Sequence, residues 1–180
     1  MQLKTILNRI QKHQSFVYGK AEFVETGRGP GIEADILPRA NGRAVCSVCE
    51  RPRPGYDTLP ARRFEFVRFW GFVVFFVYVM RRVECPTCGV RVEAVPWAKG
   101  KQRITTTYAW FLAKWAKRTT WTDVAKAFRT SWDTVFRSVE MAVEWGRANM
   151  ELTGITSIGI DEISVRKGHR FLTLVYQIDE

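Results

Sequence analysis

Two Cys-x-x-Cys pairs, Cys46-Ser47-Val48-Cys49 and Cys85-Pro86-Thr87-Cys88, hold all four cysteines of this 180-residue chain. Two residues between thiols bend the backbone into a knuckle that offers two sulfurs to one centre, and two knuckles complete a tetrahedron. The chain between them must then return on itself. Thirty-five residues separate the pairs, against roughly 15–20 in a compact zinc ribbon, so intervening strands have to bring the ends together. The second knuckle is the better formed, because Gly89 follows it and glycine takes positive φ freely; the first is followed by Glu50. The N-terminal stretch carries no continuous apolar run of the secretory kind, which places the chain in the reducing cytosol. There such a pattern reads as metal binding before disulfides. The reading is one structural zinc on Cys46, Cys49, Cys85 and Cys88, with redox-active or fortuitous pairs as the alternative.

Between the knuckles lies FWGFVVFFVYVM, Phe69 to Met80, bracketed by Arg68, Arg81 and Arg82. Twelve residues are too few to cross a bilayer as a helix, which needs about 20, and the Val and Phe content favours buried strand, either one long or two short. Near the N-terminus, Leu3, Ile6, Leu7 and Ile10 recur at helical spacing. They suggest an amphipathic helix packed on its own domain, with a membrane-surface helix as the alternative.

The net charge is +10, and residues 43–103 hold twelve Lys and Arg against five Asp and Glu. That field favours a polyanion. Arg62, Arg63, Arg81 and Arg82 are candidate phosphate contacts within it, since a guanidinium forks onto phosphate oxygens; taken singly, each also fits an ordinary solvated arginine.

The fold class expected is α+β, in four parts. Residues 1–42 read as a helix and a β-hairpin, with strands near Phe16–Glu25 and Gly31–Pro38. Residues 43–103 form a zinc-ribbon-like β module, and residues 104–150 change to helical period as a three-helix helix-turn-helix domain. Residues 151–180 return to strands around a Lys167-Gly168 turn. Within the helical part, Thr120 and Ser131 are N-caps. Trp121, Val124, Ala125 and Phe128 share one face of the first helix of the pair, and Val135, Val139, Ala142 and Val143 point inward from the second. The turn holds Arg129 where glycine is common. Polar residues opening the second helix make Trp132, Asp133, Thr134 and Arg137 candidates for the DNA major groove, Arg137 for a guanine; Trp132 fits a core position equally well, and plain helical packing is the alternative for the pair.

Ser157-Ile158-Gly159-Ile160-Asp161-Glu162 is an apolar strand ending in carboxylates, which alone reads as a strand meeting a turn. The ordered set resembles the ISL3-type insertion-sequence transposases: the paired cysteines, Arg81 to Val90, Val95-Pro96-Trp97, the helix pair, Gly159-Ile160-Asp161-Glu162-Ile163 and Lys167-Gly168-His169. The resemblance implies a DDE enzyme that binds double-stranded DNA at the terminal inverted repeats of its element, with self-association on DNA, no membrane and a location at the bacterial nucleoid. It implies that residues 151–180 begin an RNase H-like catalytic domain, with Asp161 as the first acidic residue and a ligand of Mg²⁺ or Mn²⁺ in the complete protein. The second aspartate and the final glutamate have no counterpart here, so the chain is expected to bind DNA without cleaving it. A repressor or transposition inhibitor with zinc and a helix-turn-helix is the competing function, and an RNA-binding zinc ribbon a more distant one. His13 and His169 read as ordinary polar residues.

Overall fold

The computed structural model describes residues 3–151, 153–166 and 170–178. Its class is α+β, with four helices among the described residues and strands in two sheets. The chain divides into two compact units, Met1–Ala142 and Val143–Glu180.

The first unit is built on a sheet of β1 (Phe16–Thr26), β2 (Gly29–Pro38), β3 (Gly55–Phe69), β4 (Phe72–Cys85) and β5 (Gly89–Val92). The order is β1-β2-β4-β3, with β5 pairing the far end of β4. Among the named strand pairs, β2 and β4 alone run parallel, in register from Gly31 opposite Val73 to Asp35 opposite Val77. The sheet is therefore continuous across residue 42, because β2 finds its second neighbour in β4.

The apolar run from Phe69 to Met80 divides between two strands. Trp70 and Gly71 form the two-residue tip of the β3–β4 hairpin, with φ of 45° and 88°. Positive φ at both central residues matches the right-handed twist of the flanking strands. Alternation along β4 then sends Val74, Phe76, Tyr78 and Met80 into the main core. Trp97, fully buried, sits edge-on to Phe16 at 4.9 Å and Tyr78 at 5.2 Å. The N-terminal helix α1 (Leu3–Ile10) packs here through Leu7, while Ile10 stays 55% exposed.

Three helices follow: α2 (Thr106–Ala116), α3 (Trp121–Ala127) and α4 (Trp132–Ala148). Thr105 caps α2, its hydroxyl accepting from the Tyr108 N–H, and Thr120 caps α3 by accepting from Asp123. The entry to α2 is fastened to β3 by main-chain bonds, from Glu65 to the Arg103 carbonyl and from Thr105 to the Glu65 carbonyl, both 2.8 Å. Tyr108, Leu112, Val124, Ala125 and Val135 form a second core.

The inward face expected of α4 needs one correction. Val135 is buried and Val139 and Ala142 are half-buried, but Val143 is 52% exposed. At 100° per residue Val143 has turned about 80° from Val135 along α4. Ser138 takes the inward place instead, its hydroxyl donating to the Thr134 carbonyl at 2.7 Å.

In the second unit, β6 (Ile158–Arg166) and β7 (Arg170–Gln177) form an antiparallel hairpin. Gly159 stands opposite Tyr176, and the ring lies where a side chain at 159 would sit, so the glycine serves close approach. The expected Lys167-Gly168 turn and His169 lie outside the described residues.

Candidate metal centre and nucleic-acid interface

Cys46 and Cys49 project from a turn in which Glu50 N–H donates to the Cys46 carbonyl and Cys46 N–H to the Arg51 carbonyl. Cys85 closes β4 and Cys88 precedes β5. The residue after each pair is left-handed, Glu50 at φ 55° and Gly89 at φ 74°, so the first knuckle reaches the same backbone geometry without a glycine. All four sulfurs lie within 4.8 Å of one another. Cys49 and Cys85 are 3.7 Å apart, the edge of a tetrahedron with metal–sulfur bonds of about 2.3 Å.

The protonation of these thiols is uneven. Burial pushes Cys85 up, but hydrogen bonds from the Thr87 and Cys88 main chain and from neighbouring thiols outweigh it and bring the group to about 6. Burial and bonds to the other sulfurs drive Cys88 up to about 12. Four thiolates cannot coexist here without a cation among them. Arg53 adds a positive group 3.8 Å from the Cys49 sulfur, as outer partners of metal sites do. The four cysteines are thus placed to bind a metal such as zinc.

The α3–α4 turn is closed by two main-chain bonds, Thr130 N–H to the Ala125 carbonyl and Arg129 N–H to the Lys126 carbonyl. This pattern puts its central residue in the left-handed region, usually as glycine. Arg129 occupies it at φ 47°. Ser131 then caps α4, accepting from the Thr134 N–H at 3.1 Å.

Of the residues expected to face DNA from α4, Asp133, Thr134 and Arg137 come together along a groove of about 480 Å³, whose other wall includes Lys101 and Arg103. Arg137 pairs with Asp133 at 3.1 Å, both well exposed. Trp132 is set apart from them. It is half-exposed and stacks on Phe136 at 5.4 Å, beside Trp121 at 5.6 Å.

The four arginines expected to contact phosphate all have partners within the chain. Arg81 is paired with the buried carboxylate of Glu93, Arg82 with Asp57 and Arg63 with Glu33. Arg62 donates to the Gly100 and Gln102 carbonyls at 3.2 and 2.6 Å. Reading by sequence did not single out Arg28 or Arg103, and noted Arg129 only as the turn residue in place of glycine; the Lys99-x-Lys101-x-Arg103 rhythm ahead of α2 was a signal for Arg103.

Residues 93–139 match the helix-turn-helix domain of transposase family ISL3. Across 168 residues, 88% of its length, the chain is 34% identical to the transposase for insertion sequence element IS1557 of Mycobacterium tuberculosis. It is 27% identical over 161 residues to the transposase for IS1001 of Bordetella parapertussis. Residues 93–139 thus resemble an ISL3-family helix-turn-helix domain, and over most of its length the chain is similar to transposases. It covers 36% and 39% of the length of these two relatives. No solved structure matches it.

The matched stretch begins at Glu93, the partner of Arg81, takes in Trp97 of the main core, and ends at Val139 in the third turn of α4. The helices are thus matched together with their attachment to the sheet. Asp161, expected from the resemblance to be an acidic catalytic residue, lies on β6 with its carboxylate exposed and accepting from the Glu162 N–H at 2.8 Å. Among the described residues the four cysteines are the cluster that could hold a metal ion, and Asp161 is in none. No described helix is long and apolar enough to cross a membrane.

Proposed function

We propose that the chain carries the DNA-recognition function of a DDE transposase and binds the terminal inverted repeats of its insertion sequence as duplex DNA. The observation that carries this reading is the groove along the start of α4. Asp133, Thr134 and Arg137 share it with Lys101 and Arg103, inside the stretch that matches an ISL3 helix-turn-helix domain. In such a unit the second helix enters the major groove and its first turns meet base edges. Arg137, on the second turn, forks onto the two acceptors of a guanine; Lys101 and Arg103 meet the flanking phosphates and add affinity without sequence preference.

The cysteine centre takes zinc and serves folding. Its four sulfurs fill a tetrahedron and leave no open position for a reacting group, while β4 ties the centre to the strand that forms the main core. Residues 104–150 act as the recognition module and residues 43–103 as its zinc-bearing platform.

Asp161 is assigned, by family resemblance, as the first acidic residue of the catalytic set. Two-ion phosphoryl transfer requires several carboxylates around the ions, and one exposed aspartate on a hairpin does not make that site. Strand cleavage and transfer therefore belong to a fuller set of acidic residues than the described ones.

Selection of duplexes from a random pool by the chain tests the reading. It should enrich one motif that contains a guanine, and that motif should recur at both ends of the element from which the chain derives. Recovery of unrelated sequences with no common motif would sink it.

A further inference from the structure

The outer face of the sheet, opposite the main core, forms the floor of a second cleft. It measures about 1040 Å³ and is lined by Arg28, Arg62, Arg63, Arg103 and Arg129, with the hydroxyl residues Ser131 and Thr134 at the start of α4. Two of its arginines are already neutralised. Arg28 forks onto Glu65 at 3.1 and 2.9 Å, and Arg63 pairs with Glu33. The other three, Arg62, Arg103 and Arg129, have no carboxylate partner among the described residues.

Those three charges are held in place rather than scattered. Arg62 pins the 100–102 segment through two carbonyls and so fixes the approach of Arg103. Burial, and after it the neighbouring charge of Arg103, lower the Arg62 pKa. Arg129 holds a left-handed position at φ 47° that glycine would take without strain, with its side chain exposed. Its own carbonyl accepts from Arg28 at 3.3 Å, so the pair Arg28–Glu65 sets the turn against the sheet. A charge kept at a strained, exposed position makes sense where the charge itself is used.

We propose that this cleft binds the phosphate backbone of one DNA strand, with Arg62, Arg103 and Arg129 as the contacts and Arg28 as a positioning residue. Arg103 and Thr134 line both this cleft and the groove of α4. A strand whose bases meet α4 therefore runs its phosphates into the arginines. The inference rests on the duplex-DNA reading above and extends it to a surface that the sheet and the helical module build together.

The test uses the full chain, its selected duplex and a random duplex of equal length, with affinity measured across salt concentrations. Arg129→Gly relieves the left-handed strain but also removes the bond that the Arg129 side chain donates to the Arg28 carbonyl at 3.4 Å, so its melting is measured first, and its DNA binding is compared in protein that melts with the parent. For Arg129→Gly and Arg103→Gln, the slope of log affinity against log salt should shrink by about 0.9 each. The loss should be alike on both duplexes, leaving the preference between them unchanged. Arg103→Lys should keep the parental slope. Normal melting with unchanged slopes would overturn the cleft as a phosphate site, as would a loss confined to the selected duplex. Loss of motif selection with these slope changes intact would overturn the sequence-reading proposal and leave the cleft standing.

Discussion

Arg81 and Glu93 form an ion pair in which Nε and Nη2 donate to the same carboxylate oxygen, Oε2, at 3.0 and 2.7 Å. The other oxygen accepts from the Tyr78 hydroxyl at 2.6 Å and from the Arg81 main chain at 2.8 Å. The Glu93 side chain has no exposure to solvent. Removing one partner of a buried pair leaves an uncompensated charge and costs about 3–5 kcal/mol. Arg81→Ala and Glu93→Ala should each lower stability by that order in urea titration. Arg81→Ala should leave the salt slope of DNA binding unchanged in protein that remains folded. A loss below about 1 kcal/mol, set against that range, together with a reduced slope, would return Arg81 to the phosphate-binding surface.

Removal of the metal should loosen one end of the sheet and spare the rest. The cysteine centre has its own small cluster, Ala44, Cys46, Val83 and Cys85, whereas the main core is organised around Trp97, Phe64, Phe66 and Phe76. Binding energy at a four-sulfur site is folding energy for the segments that supply the ligands. Chelation or Cys85→Ser should abolish hydrogen-exchange protection across residues 44–54 and 83–92 and leave it across residues 72–78. Metal analysis should give one zinc per chain. Protection unaffected by chelation would contradict the assignment.

Stability should fall on the alkaline side through buried tyrosines. Burial lifts Tyr18 and Tyr108 to about 12, and burial followed by the bond to Glu93 raises Tyr78 as well. The unfolded chain releases these protons near 10. Above that pH the folded state holds more protons than the unfolded one, so stability is complete below pH 10 and declines through about 12. His13 sets the acid edge with the opposite sign. Burial lowers it from 6.5, so the unfolded state binds the proton more readily and stability declines as pH drops below 6.5. Melting temperature against pH should show both edges, and His13→Phe should flatten the acid one.

Local chemistry was legible in the sequence, and long-range pairing was not. Thr120 and Ser131 cap helices because a hydroxyl acts on an N–H three residues away, and such a signal is contained in a short window. The strands near Phe16 and Pro38 were legible for the same reason, with turn residues and alternation both local. The β3–β4 hairpin was legible only as one of two alternatives, one long strand or two short ones, because Trp70 interrupts an apolar run without looking like a turn residue. Nothing in Arg63, Arg81 or Arg82 announced that Glu33, Glu93 and Asp57 would meet them, since those partners arrive from other strands or loops. The parallel pairing of β2 with β4 is likewise invisible to any window, and it is what makes residues 16–38 part of the cysteine-bearing sheet.

Arg137 is poised to exchange its partner. Its bond to Asp133 spans one turn of α4, with side chains 65% and 62% exposed, and such pairs contribute only about 0.3–0.5 kcal/mol. Breaking it to reach a base is therefore cheap, while the carboxylate keeps the guanidinium directed along the groove until DNA arrives. Arg137→Ala should leave melting nearly unchanged, cost roughly 1–3 kcal/mol on the selected duplex and relax the preference at one base pair. Arg137→Lys should not restore that preference, because an ammonium has no planar fork to match two guanine acceptors. Asp133→Ala should strengthen binding to random duplex by removing a negative group from the phosphate path, and so narrow the gap between selected and random DNA. Equal losses for Arg137→Ala on both duplexes would show that Arg137 touches backbone alone, and base reading would then have to come from Thr134 or from the half-exposed Trp132.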